Sequence, residues 1–377
     1  MTPSADKPLW ADGEGLALPP LLGDVETDIC IVGLGGSGLT CARELVRLGT
    51  RVVGVDASEV GGGAAGRNGG FLLAGLAPFY HDAVASYGRD RARAMYELTC
   101  QELERVAEET PATISRPGSL RVAESSEEEA DCELQLAAML ADGFPAERYE
   151  GPEGRGLLVP GDGTFQPLAR CQAIAGVAIS EGAALFEGSP ALSIEPGRVR
   201  TPQGSVRARL IIVAVDGALD RLVPELASEV RTARLQMLAT APTTEIAVPR
   251  PVYARWGYDY WQQRPDGAIA LGGARDLGGE AEWTHDTAPS EAVQAALDHR
   301  LREGLGVNAP VTHRWAASVS YTRDSLPIVR EVRQGVWAIG GYSGTGNVVG
   351  SLLGRGIARV VVRGDRALLT PFLGSAS

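Results

Sequence analysis

The segment that most constrains this chain is a glycine-rich turn between a β-type run and an amphipathic helical pattern. Residues 33–38 have the spacing G-x-G-x-x-G, residues 27–32 before them are mostly apolar, and Leu39, Ala42 and Leu45 follow at helical spacing. In such a turn the first glycine permits the tight bend, the second lets the backbone approach a pyrophosphate, and the third lets helix and strand pack closely. The helix N-terminus then presents free N–H groups to the phosphates. The pattern predicts a βαβ unit that binds a dinucleotide.

A second predicted strand, residues 51–55, ends at Asp56. An acid at this point of a βαβ unit accepts hydrogen bonds from the ribose hydroxyls of the nucleotide, which a plain glycine turn would not require. The residues predicted to contact the cofactor from these two strand ends are Gly33, Gly35, Gly36, Ser37, Gly38, Asp56 and Ala57.

Two further glycine-rich segments favour FAD over NAD. Residues 65–70 read A-G-R-N-G-G after the second strand, and residues 340–347 close a predicted strand and open the last helix. A helix N-terminus suits the flavin edge on which negative charge accumulates during reduction. Either segment alone is compatible with an ordinary loop, but both together behind a complete fingerprint indicate FAD. The predicted contacts are Gly66, Arg67, Asn68, Gly69, Gly70, Gly341, Ser343, Gly344, Thr345, Gly346 and Asn347.

Chain length and the order of the patterns predict two domains. A chain of 377 residues exceeds one ordinary core, and dinucleotide-type features occur at its start, middle and end, with β-rich material between them. The predicted fold class is α/β, with a discontinuous Rossmann-type FAD-binding domain and a β-rich substrate domain that has a mixed sheet. The predicted bounds are an N-terminal arm at 1–25, the FAD-binding domain at 26–80, 165–230 and 320–377, and the substrate domain at 81–164 and 231–319.

Charge and cysteine usage exclude several classes of partner. With 47 acidic and 35 basic side chains, a net charge of −12, the chain lacks the basic stripe that neutralises nucleic-acid phosphates. The longest apolar runs are strand-sized, so we expect no membrane partner. Five scattered cysteines without a C-x-x-C pair, and no apolar signal-peptide core, predict a cytoplasmic protein. The histidines lack metal-ligand spacing, so we expect no metal; the oligomeric state is not given by the sequence.

Together these segments resemble the D-amino-acid oxidase superfamily of flavoproteins. The resemblance rests on the fingerprint, the loop at 66–70, a predicted strand at 206–215 that leads into Asp216-Gly217, residues 315–327, and the turn at 341–346. The A-x-G-R-N-G-G loop and the G-Y-S-G-x-G turn are most similar to the γ-glutamylputrescine oxidase branch. The resemblance also implies cofactor contacts at Gly217 and, from the backbone to the adenine, near Ala191.

Departures from the family pattern narrow the expected substrate. The arginine with which glycine oxidases grip the substrate carboxylate falls at Val319, a second family arginine falls at Gly344, and a lysine of sarcosine oxidases falls at Val348. Valine and glycine cannot replace a bidentate guanidinium, so we expect a small-molecule amine without a clamped carboxylate. The cysteine that binds flavin covalently in sarcosine oxidases falls at Ala317, so we expect non-covalent FAD.

Aromatic residues are the remaining candidates for the substrate pocket. Tyr258 and Tyr260 alternate along a predicted strand, residues 253–262, and Tyr342 lies on the last glycine turn. Their faces could hold an amine by cation–π contact, or they could simply pack a sheet face. His81 could accept a proton from an ammonium group, or merely lie near a helix start. The candidate catalytic residues are His81, Tyr258, Tyr260 and Tyr342.

The expected reaction is transfer of a hydride from the carbon beside a neutral amine to flavin N5, which leaves an imine that water hydrolyses. Two alternatives stay open. One is an amino-acid oxidase whose carboxylate clamp has moved, with Arg255 or Arg314 as the arginine. The other is a non-catalytic flavin-binding subunit of a larger complex.

Overall fold

Residues 4–11, 13 and 15–373 are described by the structure, a computed structural model, and they form ten α-helices and twenty β-strands. The helices are α1 Gly36–Arg47, α2 Ala64–Arg67, α3 Tyr80–Tyr87, α4 Arg89–Glu109, α5 Ser126–Ala141, α6 Pro167–Ser180, α7 Leu219–Leu222, α8 Arg275–Gly278, α9 Glu291–His299 and α10 Val349–Arg363. The strands are β1 Ser4–Ala5, β2 Gly23–Val32, β3 Val52–Val55, β4 Phe71–Leu72, β5 Ile114–Ser115, β6 Ser119–Ala123, β7 Glu147–Gly151, β8 Gly154–Val159, β9 Gly163–Phe165, β10 Ala184–Phe186, β11 Ser193–Glu195, β12 Arg198–Thr201, β13 Gly204–Val213, β14 Val230–Thr240, β15 Val252–Ala254, β16 Asp259–Gln263, β17 Ile269–Gly273, β18 Val311–Thr322, β19 Ile328–Arg333 and β20 Val336–Gly340.

The first sheet has a parallel centre, β10-β3-β2-β13, to which β20 adds in parallel and β12, β11 and β19 add as antiparallel neighbours. Alternate residues of β2 point to opposite faces. Ile29 and Ile31 pack against α1 and α10, while Cys30 and Val32 pack into the cluster on the other face. Burial on both faces explains why residues 29–32 of β2 and the whole of β3 read as continuous apolar runs. The predicted α/β fold with a Rossmann-type unit is confirmed.

The second sheet is mixed and has the order β1-β18-β14-β17-β16-β15-β6-β8-β7. Its strands come from distant parts of the chain, and β1, in the predicted arm, pairs in parallel with β18. The predicted domain boundary at 319/320 falls inside β18, which stays in this sheet throughout its length. A short third sheet has the antiparallel order β4-β9-β5, and β4 directly follows the glycine-rich segment 66–70.

Buried ion pairs join helices of the first half of the chain to α10. Glu102 of α4 pairs with Arg355, and Glu44 of α1 pairs with Arg359 at 2.7 Å. Both carboxylates are almost fully buried, so each depends on its arginine for compensation.

Two elements are interrupted in the structure. Residues 80–109 form two helices, α3 and α4, separated by Gly88 at φ 82°. The strand expected at 253–262 is broken between β15 and β16, because Arg255 and Trp256 both adopt φ 52°. Among the described helices, none has the length and apolar content needed to cross a bilayer.

Candidate active site

A cavity of about 1110 Å³ connects the glycine turn after β2 with the inner face of the second sheet. Its wall includes the turn at 33–37, the loop at 61–69, the last glycine turn at 342–347 and several aromatic side chains of the second sheet. The two halves of the fold therefore enclose one space between them.

The glycine turn is held in place from both sides by backbone atoms. A Cβ at Gly38 would lie 1.9 Å from the Gly33 carbonyl oxygen, and a Cβ at Gly33 would lie 2.5 Å from the Ala214 carbonyl oxygen. Gly33 also has φ 104°, which favours glycine. Gly38 does not line the cavity. Its lack of a side chain instead allows α1 to pack closely against the turn.

Asp56 lines the cavity and also fixes the turn itself. One carboxylate oxygen accepts the Leu34 N–H at 2.6 Å, and the other accepts the Ser58 N–H at 2.9 Å. Burial raises the pKa of Asp56, and these hydrogen bonds oppose the rise.

Two buried polar groups near the start of α1 have incomplete partners. Arg170 is 3% exposed, donates one hydrogen bond to Ser351 Oγ at 2.9 Å, and leaves its Nε without a partner among the described residues. Its Nη1 lies 3.7 Å from where a Cβ of Gly36 would be, and burial lowers its pKa. The Tyr342 hydroxyl, also buried, lies beside Ser37 without a well-formed hydrogen bond to any described residue. An anion bound at this end of α1 would satisfy both groups.

The loop after α2 is fixed by its own polar side chains. Asn68 and Asn347 hydrogen-bond each other, Asn68 Oδ1 accepts the Gly70 N–H at 2.8 Å, and Asn347 donates to Phe71 O at 2.8 Å. Residues 66–70 and the last turn therefore form one unit. Gly66 and Gly70 lie outside the lining and pack closely against the backbone. A Cβ on Gly66 would lie 2.3 Å from Gly61 O, and a Cβ on Gly70 would lie 2.4 Å from Phe165 O.

The segment 4–11 closes over this loop. Arg67 donates to Asp6 and to Ala316 O, and Trp10 Nε1 donates to Asn68 O at 2.7 Å. From the second sheet, Trp315 Nε1 donates to Arg67 O at 2.7 Å. The loop is thus held by segments from both parts of the structure.

Asp216 ties the last glycine turn to the end of β13. Its carboxylate accepts the Gly341 N–H at 2.8 Å, the Tyr342 N–H at 3.2 Å and the Ser320 N–H at 3.3 Å. Burial raises the pKa of Asp216 to about 6. Gly341, at φ 68°, is part of this anchor rather than of the cavity lining.

These features fit a flavin dinucleotide. The open glycine turn, the buried and unpaired Arg170, and the unpartnered Tyr342 hydroxyl provide donors for a pyrophosphate at the N-terminus of α1. Residues 28–360 match the sequence profile of a family described as FAD dependent oxidoreductase, DAO. The chain belongs to this family. It is an FAD-dependent oxidoreductase, and the resemblance inferred from the sequence motifs is confirmed.

The oxidoreductase is similar along most of its length to curated relatives. It is 29% identical over 364 residues to a probable oxidoreductase, OrdL, of Rhizobium meliloti (strain 1021), covering 89% of this chain and 83% of the relative. It is 28% identical over 374 residues to gamma-glutamylputrescine oxidoreductase of Escherichia coli (strain K12), covering 90% and 84%. Among solved structures, glycine oxidase from Geobacillus kaustophilus shares the fold with a TM-score of 0.72 at 20% identity, covering 90% of this chain and 95% of that one.

Most of the predicted cofactor residues of this oxidoreductase line the cavity. They are Gly33, Gly35, Gly36, Ser37, Asp56, Ala57, Arg67, Asn68, Gly69, Ala191, Gly217, Ser343, Gly344, Thr345, Gly346 and Asn347. The predicted contacts outside the lining are Gly38, Gly66, Gly70 and Gly341. Of the three positions at which the chain departs from the family pattern, Val319 and Gly344 line the cavity, and Val348 is buried outside the lining.

The predicted aromatic residues separate into different surroundings. Tyr260 is half-buried and packs against Phe71 and Tyr253, with ring centroids 5.8 and 6.3 Å away, and its ring lies over Gly69. Tyr258 precedes β16 rather than alternating with Tyr260 along a strand, and it is 39% exposed. Tyr342 packs into the core beside α10, next to Gly346 and Gly350. Tyr342 is therefore better placed for the cofactor than for the substrate.

His81 does not line the cavity. Its Nε2 lies 3.0 Å from Asp131, and Asp131 also accepts a hydrogen bond from Arg121. Arg121 stands at the cavity wall, with its guanidinium 3.5 Å from the centre of the Phe79 ring. His81 therefore lies just outside the lining, between Tyr80 and Asp82, which both line the cavity, and its role as a proton acceptor stays a prediction.

Sequence reasoning missed two buried groups of the lining, Arg170 and Asp162. Asp162 is fully buried, and its carboxylate accepts hydrogen bonds from Ser119 Oγ at 2.6 Å and from the Ala74 N–H at 3.1 Å. Burial raises its pKa to about 7. In the sequence it lies in an unremarkable P-G-D-G turn, and nothing local signals that this turn is buried.

Asp162→Asn is expected to stabilise the FAD-free protein at neutral pH. The folded carboxyl has a pKa of about 7, above the roughly 3.9 of an unfolded aspartate, so the native state loses stability as pH rises between these values. An asparagine can accept the Ala74 N–H through Oδ1 and donate from Nδ2 to the Ser119 hydroxyl oxygen, and it removes this loss. Urea unfolding at several pH values should show an advantage of the variant that grows from pH 4 to pH 7 and then levels off. An advantage that does not change with pH, or an equal trend in the exposed Asp90→Asn control, would contradict this account.

Proposed function

We propose that this oxidoreductase oxidises the carbon–nitrogen bond of an amine to an imine, with non-covalently bound FAD. The observation that carries the proposal is the continuity of the cavity, which runs from the fingerprint turn to the aromatic residues Tyr258, Tyr260 and Tyr321. A cofactor held at the turn and a substrate held at the aromatic end would share one enclosed space. The names of the relatives, an oxidoreductase of gamma-glutamylputrescine and an oxidase of glycine, support amines or amino acids as the substrate class.

Bound FAD would supply the hydride acceptor, flavin N5. The protein's part is to hold the amine, exclude water and keep the substrate nitrogen neutral. Burial raises the pKa of Tyr260, so this phenol stays uncharged and its face is available to an amine. The carbon–hydrogen bond beside the nitrogen breaks, and the hydride leaves with both electrons. The iminium ion that remains takes up water to give a carbonyl compound and a protonated amine or ammonium ion.

Anaerobic reduction tests this proposal. The FAD-loaded protein is mixed with a panel of primary and secondary amines and amino acids, and the flavin absorbance is followed. Bleaching by at least one compound of the panel, with formation of the corresponding carbonyl product, is expected. A flavin that no compound reduces, although dithionite reduces it, would instead indicate the non-catalytic flavin-binding subunit considered above.

The second candidate function is oxidation of an amino acid. The two arginines first considered for a relocated clamp are committed elsewhere, since Arg255 pairs with Asp259 and Asp276, and Arg314 pairs with Asp298 at 2.8 Å. Neither lines the cavity. A clamp would have to come from another residue.

Non-covalent attachment makes a direct prediction. Ala317 lines the cavity and has no atom able to bond to the flavin, so acid precipitation should release all of the yellow colour into the supernatant. Flavin that stays in the protein pellet would contradict the prediction. The five cysteines lie apart and unpaired, which supports the further proposal that the protein works in the reducing cytoplasm.

A further inference from the structure

Three arginines of the cavity wall, Arg170, Arg221 and Arg275, form no ion pair with a carboxylate among the described residues. Of these, Arg275 is the one that directly follows a strand of the second sheet, with only Ala274 between it and β17. Arg275 lines the cavity, is half-buried, and forms no ion pair with a carboxylate in the described part of the chain. Most other arginines here have such partners, as expected in a chain with 47 acidic and 35 basic side chains. A guanidinium left unpaired at a cavity wall is a binding group for an anion.

Aromatic rings hold Arg275 instead of acids. Its Cζ lies 4.9 Å from the ring centre of Trp283, 5.0 Å from that of Tyr321 and 5.7 Å from that of Tyr258. Contacts of this kind use the flat face of the guanidinium. They leave N–H groups at its edge, in the planar fork that binds a carboxylate through two parallel hydrogen bonds.

The two residues before Arg275 have positive φ, and Arg275 itself lines the cavity. Gly273 has φ 135°, where a Cβ would lie 2.1 Å from the Tyr258 carbonyl oxygen, and Ala274 follows at φ 54°. A left-handed backbone is unfavourable at a buried alanine, and Arg255 holds the turn by pairing with Asp259 and Asp276. The strain ends β17 abruptly and starts α8 at Arg275.

Arg275 and the last glycine turn, in which Gly344 replaces a family arginine, both approach Tyr321. Tyr321, against which Arg275 lies, has its hydroxyl 3.8 Å from where a Cβ of Gly344 would be. Gly344 is the position at which the family resemblance places a second arginine. Arg275 and a side chain at Gly344 would therefore both approach the same residue of the cavity wall, Tyr321.

We propose that Arg275, with the Tyr321 hydroxyl beside it, binds a carboxylate of the amine substrate. The proposal rests on the proposed function and revises the sequence-based expectation of an amine without an acid group. It makes Arg275 the residue that selects acidic amines, whichever amine nitrogen reacts.

Calorimetric titration of the FAD-loaded protein with benzoate and with benzamide tests the binding site directly. Benzoate offers a flat ring to the aromatic cluster and a carboxylate to Arg275, whereas benzamide has the same shape without the charge. Arg275→Gln is expected to weaken benzoate roughly 10- to 150-fold, the loss of a charge-assisted hydrogen-bond pair, and to leave benzamide unchanged. Arg275→Lys, which keeps the charge without the fork, should be intermediate.

Arg231→Gln is the matched control. Arg231 also stacks on Trp283, at 4.2 Å, but it pairs with Glu280 and does not line the cavity, so its loss should leave both affinities unchanged. If Arg275→Gln and Arg231→Gln weakened benzoate binding equally, Arg275 would act only through general electrostatic attraction, and the proposal would be overturned. Native protein that binds no benzoate, or binds benzamide equally well, would overturn it too.

Anaerobic reduction separates this proposal from the proposed function. If amines bleach the flavin with the same KM in the native protein and in Arg275→Gln, the function stands and the role of Arg275 fails. If no amine or amino acid bleaches the flavin while benzoate still depends on Arg275, the carboxylate site stands and the function fails. Success of both requires an acidic amine whose KM rises in Arg275→Gln with a smaller change in kcat.

Discussion

Replacing Gly38 with alanine is expected to destabilise the FAD-free protein by about 3 kcal/mol, the upper end of overpacking costs, and to abolish stable FAD binding. The new methyl group would lie 1.9 Å from the Gly33 carbonyl oxygen. This oxygen cannot move away, because Gly33 packs closely against Ala214 and the Gly33 N–H donates to Val55 O at 2.9 Å. Helix α1 must therefore move off the turn, and its N-terminus moves away from the phosphates.

Gly36→Ala is the matched control in the same turn. Its Cβ would meet nothing nearer than Arg170 Nη1 at 3.7 Å, an ordinary contact, so the free energy of unfolding of the FAD-free protein should change little. Denaturant titrations of both variants without FAD check the stability difference, and fluorescence titration with FAD checks retention. Native-like stability of Gly38→Ala would mean that the turn is not packed as the structure describes.

Arg170→Met is expected to have opposite effects on stability and on cofactor binding. Without FAD, Arg170 is a buried charge that has no carboxylate partner among the described residues, so its replacement should stabilise the protein by about 1–4 kcal/mol. With FAD, the charge would compensate a phosphate near Gly36. Its loss should weaken FAD by about 3–5 kcal/mol, a factor of roughly 10² to 10³ or more.

The same substitution at Arg355 gives the contrast. Arg355 is also buried but pairs with Glu102, and it does not line the cavity. Arg355→Met should destabilise the FAD-free protein by about 3–5 kcal/mol, because Glu102 is left buried and unpaired, while folded protein should keep its FAD affinity. Thermal unfolding with and without FAD measures both. Loss of stability in Arg170→Met to the same degree as in Arg355→Met would refute a cofactor role for Arg170.

The parts of the site that could be predicted from the sequence are those whose geometry is local. A turn that requires Gly33 and Gly38, or an acid at the end of a strand, leaves its signature within a few residues. The break between Arg255 and Tyr258 has no such signature, because two non-glycine residues adopt positive φ only where distant contacts hold them. The pattern of alternation therefore predicted one strand, whereas Tyr258 precedes β16, although it lines the cavity with Tyr260.

Arg170 and Arg275 were missed for a related reason. In the sequence, Arg170 is one polar residue near the start of a helix, and Arg275 follows G-G-A at the end of a strand. Both positions are typical of solvated arginines. Only the packing of α6 against α1 and α10, and of α8 against the second sheet, shows which arginines lack an acid and face the cavity.

The closure of residues 4–11 over the Arg67–Asn68 loop has a consequence for how the protein matures. This segment is synthesised well before β18, yet β1 pairs with β18, so Ser4 lies opposite His313. Contacts so distant in sequence form late in folding, because a long stretch of chain must already be ordered. Most of the first and second sheets is therefore synthesised before residues 4–11 can close over the Arg67–Asn68 loop. Capture of the flavin is then a closing step of biogenesis, and nascent chains that stall before β18 hold an unfinished cofactor site.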